Sequence, residues 1–275
     1  MGIYDLPAII EYITMYKKEG SLLYVGHSMG TTMFYAMASE RPEVATKVRA
    51  MFSLAPVAFM SHVKSPIRIV APYAWEYAMI AHFFGADEFL PQGIILRFLA
   101  RYGCDIDVTE EKICANVLFV LCGYDKYQFN NTLLPIIFGH TPAGASTKTL
   151  VHYAQEITSG KFRQYDYGTR KNWQIYHSVS PPEYDISKIS VPVALFYADN
   201  DWLANVSDVG RLYEALPNKL GKFRVNFPKF NHLDFLWGID APKLVYKQML
   251  TLMEKYRHEG KKPKFHTTFS NISSI

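Results

Sequence analysis

The stretch that decides the fold is Leu22–Gly30, which has the sequence LLYVGHSMG. Its first four residues form an uninterrupted apolar run, which is typical of a parallel strand buried on both faces. Residues 26–30 match the pattern Gly-x-Ser-x-Gly, and Thr31–Ser39 has a helix-forming composition. The segment therefore predicts a strand, a sharp turn that presents Ser28, and a helix.

Apolar runs on both sides of this turn predict the other elements of an α/β protein. The predicted strands after the turn are Val48–Leu54, Val191–Tyr197 and Phe223–Phe227. The further predicted helices outside the middle of the chain are Asp5–Lys18, Ser207–Leu216 and Ala241–Tyr256. Because the strands are short, and Leu22–Val25 and Val191–Tyr197 are continuously apolar, we expect one mostly parallel sheet with helices packed against it.

The middle of the chain has a different character. Residues 59–185 are rich in aromatic side chains and contain three predicted helices, Pro72–Phe84, Gly93–Tyr102 and Ser146–Ser159. Strand-like alternation is poor there. We therefore expect three parts: residues 1–58 carry the first part of the core with the serine turn, residues 59–185 form an inserted helical region, and residues 186–275 complete the core.

Composition and charge exclude several classes of protein. Of the 275 residues, 49% are hydrophobic and 20% are charged, which is enough apolar material for a buried core. The net charge of +4 is spread along the chain, so we expect no nucleic acid partner. Polar residues interrupt every apolar stretch before about 18 positions, so we expect no transmembrane helix. Residues 1–11 hold acidic but no basic side chains, so we expect no signal peptide in this chain.

A serine hydroxyl needs a positioned base before it can act as a nucleophile, and that base needs an orienting acid. After a Gly-x-Ser-x-Gly turn these partners follow in the order Ser, Asp, His. Among the nine histidines, His232 lies in the expected place, between the last predicted strand and the last predicted helix. The acid is expected in the loop after Val191–Tyr197, where Asp199 and Asp201 are both in reach.

Residues beside this set receive supporting roles. The backbone N–H of Met29, at the start of the helix, is expected to stabilise an oxyanion. We expect His27 to pack beside the turn rather than to act as the base. Asp208 is expected to face solvent or to cap the next helix, and Asp234 to brace the loop of His232.

Cysteines and sequons give weaker indications. Cys104, Cys114 and Cys122 form no Cys-x-x-Cys pair and have no histidine at zinc spacing, so we expect no metal site. No motif indicates a cofactor. Sequons for N-glycosylation, which suit a secreted protein, occur at Asn130, Asn205 and Asn271.

Ordered motifs extend the pattern along nearly the whole chain. They are YDLP (4–7), YVGHS (24–28), LAP (54–56), CGYD (122–125), PAG (142–144), SGKF (159–162), YDYG (165–168), DWLA (201–204) and NHLDF (231–235). With these motifs the chain resembles the acid lipases, a family with the α/β-hydrolase fold that includes gastric, lysosomal and many insect lipases. The resemblance implies Ser28 as the nucleophile, Asp201 as the acid and His232 as the base.

The resemblance also implies features of the inserted region. In the acid lipases this region forms a cap and lid over the site, which implies that role for residues 59–185. The family's cap disulfide matches Cys104 with Cys114, leaving Cys122 as a free thiol, and Asn130 occupies a position where relatives carry a sequon. A lipid ester substrate at a lipid–water interface and a secreted or lysosomal location are implied in the same way.

The chain departs from the family at two points. Met29 stands where relatives usually have glutamine, and a small effect is expected because the backbone N–H is the donor. Relatives also have roughly a hundred or more residues before the point that matches Met1, including the first strands and a His-Gly loop that supplies a second oxyanion donor. We therefore expect a shortened chain that lacks those strands, and one absent donor costs about 2.7 to 4 kcal/mol of transition-state stabilisation.

Two hypotheses follow from the sequence. The first is a serine lipase or esterase that hydrolyses triacylglycerols or cholesteryl esters through an acyl-enzyme, with its activity reduced by the absent His-Gly loop. The alternative is a non-catalytic, shortened lipase-like protein that binds lipid or a partner, or the product of an incomplete gene model. Labelling of Ser28 by a fluorophosphonate distinguishes them.

Overall fold

The computed structural model describes residues 1–83, 88–89, 119–141 and 143–257. Its main sheet has four strands, which lie side by side in chain order, and every neighbouring pair is parallel. These strands are β1 (Leu22–His27), β2 (Val48–Leu54), β5 (Val193–Tyr197) and β6 (Lys219–Arg224). A separate antiparallel pair joins β3 (Glu88–Phe89) to β4 (Ala145–Ser146). The prediction of an α/β fold with a parallel sheet is confirmed.

Helices connect and cover the strands. The described residues include the α-helices α1 (Asp5–Lys17), α2 (Met29–Glu40), α3 (Pro42–Ala45), α4 (Ile67–Val70), α5 (Ala74–Phe83), α6 (Leu134–His140), α7 (Thr147–Ser159), α8 (Thr169–Tyr176), α9 (Val206–Ala215), α10 (Asp234–Trp237) and α11 (Lys247–Arg257), and residues 119–122 are helical as well. Short 3-10 turns cover Ala71–Tyr73, Asn131–Leu133 and Ile186–Lys188, and a π-helical turn, Pro242–Tyr246, leads into α11. No helix of the described residues is both long and apolar enough to cross a bilayer.

The core lies around the two central strands. Every residue of β2 except Arg49 is buried, and four of the five residues of β5 are buried, as expected for central strands of mostly apolar sequence. Helix α2 adds Phe34, Tyr35 and Met37, none of which is exposed to solvent. The Tyr35 hydroxyl lies 2.7 Å from the Ser53 hydroxyl, so two buried polar groups satisfy each other inside an apolar cluster.

The serine turn is the most constrained part of the backbone. Ser28 adopts φ 51 and ψ −116, a conformation that L-residues rarely adopt. A Cβ on Gly26 would lie 2.9 Å from the Gly30 carbonyl carbon, whereas a Cβ on Gly30 would come no closer than 3.8 Å to the Tyr24 hydroxyl. Only the first glycine of the pattern is therefore required by the local packing.

Two boundaries near the C-terminus differ from the sequence predictions. The last strand is Lys219–Arg224 rather than Phe223–Phe227, because β6 lies at an edge of the described sheet, where polar residues are tolerated on an exposed side. Gly221, at φ 147, leaves room for the Phe223 ring, which would touch any side chain at this position. The predicted helix Ala241–Tyr256 is divided into the π-helical turn and α11. The predicted helix Gly93–Tyr102 lies outside the described residues.

Apolar side chains remain on the surface in two places. Helix α1 exposes Ile9, Tyr12 and Tyr16, and Val25 is exposed on β1, which has no neighbour on its outer side in the described sheet. The second place is α4 and α5 with the turn between them, where Ile69, Tyr73, Trp75 and other large side chains face solvent.

The steric difference between the two glycines of the turn is testable. We expect Gly26→Ala to lower the free energy of unfolding by about 1–3 kcal/mol, because the new methyl overlaps the Gly30 carbonyl group. Gly30→Ala should be neutral or stabilising by up to about 1 kcal/mol, since Gly30 lies within α2 and alanine favours a helix. Urea unfolding measures both, and equal losses for the two variants would contradict the steric account.

Candidate active site

His232 joins the serine turn to an aspartate. Its Nε2 lies 2.7 Å from the Ser28 Oγ, and its Nδ1 lies 3.0 and 2.9 Å from the two carboxylate oxygens of Asp201. Because an ionised carboxylate only accepts hydrogen bonds, Nδ1 carries the proton and Nε2 accepts from the serine hydroxyl. Both Asp201 and His232 are buried, whereas Ser28 is partly exposed. The three side chains form one continuous hydrogen-bonded relay that ends at the surface.

The loop after β5 brings Asp201 to His232 and turns Asp199 away. Asp201 Oδ1 also accepts from the backbone N–H groups of Leu203, at 2.9 Å, and Ala204, at 2.7 Å. These bonds fix the carboxylate and satisfy it inside the protein. Asp199 instead forms an exposed ion pair with Arg224 of β6. Sequence spacing left both aspartates open, and the loop conformation separates them.

His27 lies beside the relay and supports it. Its Nε2 donates to the backbone carbonyl of His232 at 2.8 Å, and the two rings are 4.9 Å apart. Burial and the neighbouring His232 lower the pKa of His27 to about 4. His27 therefore stays neutral at neutral pH and holds the His232 backbone, as expected for a residue that packs beside the turn.

The backbone around Ser28 leaves donors at the start of α2. The Ser28 carbonyl accepts from Thr31 N at 2.9 Å, and the Ser28 N–H donates to Leu54 of β2 at 3.1 Å. Met29 is the first residue of α2, and the first N–H groups of a helix have no acceptor within it. The positive end of the helix dipole adds to the same position. The Met29 N–H next to Ser28 is therefore suited to a developing negative charge.

Residues 122–128, from the middle of the chain, hold the two loops that carry Asp201 and His232. The Cys122 carbonyl accepts from Trp202 N at 3.3 Å and from His232 N at 3.4 Å. The Asn231 amide donates to the Gly123 carbonyl at 2.9 Å. Gly123 has φ 111, and a Cβ there would lie 2.1 Å from the Asn200 carbonyl. No local sequence pattern predicts this contact, and the CGYD motif at residues 122–125 is its signal in the sequence.

Two other aspartates have well-defined places. Asp234 accepts from Asn231 N at 2.7 Å and so braces the loop of His232, as expected. The expectation for Asp208 is wrong: it is buried and accepts from the backbone N–H of His62 at 2.7 Å and from its ring Nδ1 at 2.8 Å. The cap of α9 is Asn205, whose side chain accepts from Ser207 N, so Asp208 is free to turn inward.

The sequon asparagines and the cysteines differ in burial and in whether the structure describes them. Asn130 is partly exposed, and its side chain accepts from Thr132 N and Oγ1. Asn205 is buried as a helix cap. Cys122 is a buried free thiol, and burial together with Asp201 and Asp234 raises its pKa to about 12. Cys104, Cys114 and Asn271 lie outside the described residues.

Comparison with known proteins identifies relatives. The chain is 40% identical to Lipase 3 of Drosophila melanogaster over 257 residues, which is 93% of this chain and 65% of that protein. It is 37% identical to gastric triacylglycerol lipase of Rattus norvegicus over 254 residues, or 92% of this chain and 63% of that one. The chain thus spans slightly less than two thirds of the length of these relatives.

Fold comparison agrees with the sequence relatives. A soluble variant of the monoglyceride lipase of Saccharomyces cerevisiae matches with a TM-score of 0.52 and 16% identity, over 92% of this chain and 69% of that one. This likeness concerns the fold. A family described as alpha/beta hydrolase fold matches residues 1–239, which include the whole Ser28–His232–Asp201 relay. The chain therefore belongs to the α/β-hydrolase fold family.

Proposed function

We propose that this chain carries the active site of a serine carboxylic ester hydrolase that acts on lipid esters, with triacylglycerols or cholesteryl esters as substrates. The observation that carries the proposal is the relay in which Ser28, His232 and Asp201 are joined by bonds of 2.7 to 3.0 Å. The similarity to proteins named as lipases supports the lipid substrate class.

The relay suggests each step of the reaction. The Ser28 Oγ attacks the ester carbonyl carbon as its proton moves to His232 Nε2. The resulting oxyanion accepts from the Met29 N–H, the carbon–oxygen bond of the ester breaks, and His232 gives its proton to the leaving alcohol. A water molecule then attacks the acyl-serine, with His232 as the base, and the fatty acid leaves.

Asp201 has an orienting role in this scheme. Its carboxylate holds the Nδ1–H of His232, so that Nε2 is the nitrogen that faces Ser28. Once the imidazole is protonated, the buried carboxylate stabilises the positive charge without taking the proton itself. The two backbone N–H groups that donate to Asp201 Oδ1 keep the carboxylate in this orientation.

Residues 59–185 are proposed to form the cap and lid, and the exposed apolar side chains of α4 and α5 support contact with a lipid–water interface. The cluster consists of Ile69, Val70, Tyr73, Trp75, Tyr77 and Met79. Several large apolar side chains that stay exposed within one short segment favour a protein or membrane contact. A secreted or lysosomal location, a glycan on Asn130 and a Cys104–Cys114 disulfide complete the proposal.

Reaction with a fluorophosphonate probe tests the nucleophile. We expect the wild-type chain to be labelled once and Ser28→Ala not to be labelled, because the probe phosphonylates an activated serine. Asp201→Asn should react about 10⁴-fold more slowly, since the imidazole loses its required tautomer. Asp199→Asn is the matched control and should react at the wild-type rate. A folded wild-type chain that stays unlabelled would favour the non-catalytic alternative.

The apolar cluster on α4 and α5 predicts a difference between substrates. Trp75→Ser combined with Met79→Ser should lower hydrolysis of emulsified triolein about tenfold, because roughly 1.4 kcal/mol or more of interfacial binding is lost with the two side chains. Hydrolysis of soluble p-nitrophenyl butyrate should not change. The control is Leu250→Ser, which removes an equally exposed apolar side chain from α11. Equal losses on both substrates would contradict an interfacial role.

A further inference from the structure

Two buried carboxyl groups face each other next to the loop of His232. Asp125 belongs to residues 122–128 and has no exposed surface, and Asp234 follows His232 and is 2% exposed. Their side chains are in hydrogen-bond contact with each other. The relay of the proposed mechanism uses neither group, so both need a separate explanation.

The N–H groups around the two carboxyl groups do not supply a hydrogen for the contact between Asp125 and Asp234. Asp125 Oδ1 accepts from Tyr127 N at 2.8 Å and Gln128 N at 3.3 Å, and Asp234 Oδ2 accepts from Asn231 N at 2.7 Å. Asp125 Oδ2 is buried and receives no hydrogen bond from any donor N–H or O–H group of the described residues. Two ionised carboxylates would bring only acceptors together, so the contact requires a proton.

We propose that Asp125 and Asp234 share one proton, which Asp234 carries and donates to Asp125 Oδ2, and that this bond holds the loop of His232 in its working position. Asp125 and Asp234 are positioning residues in this view, since neither touches Ser28. The consequence for catalysis rests on the proposed ester hydrolase function. The existence of the shared proton does not depend on that function.

The surroundings favour the proton on Asp234. Burial, together with the nearby charges of Asp125 and Asp201, raises the pKa of Asp234 to about 8. Burial also raises the pKa of Asp125, but the two backbone N–H groups on its Oδ1 and the nearby Lys229 favour its ionised form. The Cys122 thiol, which faces Asp201 and Asp234, stays protonated and adds no charge. Gln128 also donates to the carboxylate of Asp240, at 3.0 Å.

The pair connects to His232 through short, well-defined contacts. Asn231 accepts from Leu233 N and Asp234 N at 2.8 and 3.1 Å, and its amide donates to Gly123, two residues before Asp125. Loss of the proton would leave Asp125 and Asp234 both negative, with Asp201 as a third charge beside them. Their repulsion would push the loop of His232 away from residues 122–128 and from Ser28.

The pair has a defined effect on stability. The folded-state pKa of Asp234 lies above its usual value of about 3.9, so the folded protein binds the extra proton between these values. The contribution of this proton to the free energy of unfolding has its full value below about pH 4 and is lost as the pH rises through about 8. The buried His27, whose pKa is lowered, acts in the opposite direction and only below about pH 6.5.

Urea unfolding from pH 5 to 9 tests the shared proton without any activity. In Asp125→Asn the amide donates to Asp234 permanently, so no proton is needed. We expect the folding equilibrium constant of the wild type to fall about 50-fold relative to that of Asp125→Asn between pH 6 and 8. Asp199→Asn, an exposed carboxylate that pairs with Arg224, should follow the wild type. Parallel curves for the wild type and Asp125→Asn would overturn the proposal.

Fluorophosphonate labelling tests the link to His232. Between pH 7 and pH 9 the labelling rate of the wild type should fall about tenfold relative to that of Asp125→Asn, because a group with a pKa of about 8 keeps roughly one proton in eleven at pH 9. A parallel pH profile would show that the pair does not position His232. A wild type that is unlabelled at every pH rejects the ester hydrolase function, and the unfolding curves still decide the shared proton.

The proposal can still be tested if Asp125→Asn does not fold, with a second substitution or with the wild type alone. Asp234→Asn keeps an acceptor for Asn231 N and supplies an amide donor to Asp125, so it should behave as Asp125→Asn does. If neither variant folds, the wild type alone must lose stability between pH 7 and 8.5, where His27 no longer titrates. Constant stability in that range would overturn the proposal.

Discussion

The backbone of Ser28 lies at φ 51 and ψ −116, a conformation that costs a residue with a side chain about 1–3 kcal/mol. Its surroundings hold it there. The Ser28 N–H donates to β2, the Thr31 hydroxyl donates to the Ser28 carbonyl at 2.6 Å, and Gly26 allows the Gly30 backbone to approach. Because the turn is attached to the buried centre of the sheet, it cannot relax without disturbing β1 and β2. Ser28 is therefore presented by a rigid element, and the other site residues are brought to it.

The partners of Ser28 come from loops that follow strands of the same parallel sheet. Asp201 follows β5 and His232 lies beyond β6, so the carboxyl ends of neighbouring strands bring them together. Residues 122–128 contact both loops, through the Cys122 carbonyl, the Gly123 carbonyl and the Asp125–Asp234 contact. The middle of the chain thus holds the site together from one side, while His27 holds the His232 carbonyl from the other.

The sequence predicts those parts of the structure that depend on neighbours in the chain. The strand, turn and helix around Ser28 follow from local pattern, and β2 occupies the predicted residues Val48–Leu54 because this central strand is mostly apolar. The bounds of β6 differ because an edge strand admits polar residues, which leaves the apolar pattern uninformative. The choice between Asp199 and Asp201 depends on loop conformation and on Arg224, which is distant in sequence. The pairing of Asp125 with Asp234 depends entirely on tertiary contacts, so no local sequence pattern predicts it.

The crystal structure of the chain after reaction with a fluorophosphonate shows whether Ser28 is the nucleophile that the turn presents. We expect a phosphorus atom bonded to the Ser28 Oγ, with a phosphoryl oxygen within hydrogen-bond distance of the Met29 N–H and with His232 still hydrogen-bonded to Asp201. Ser28 should keep its positive φ in the adduct. A phosphorus atom on any other residue, or a Ser28 that has relaxed to an ordinary helical or extended conformation, would contradict it.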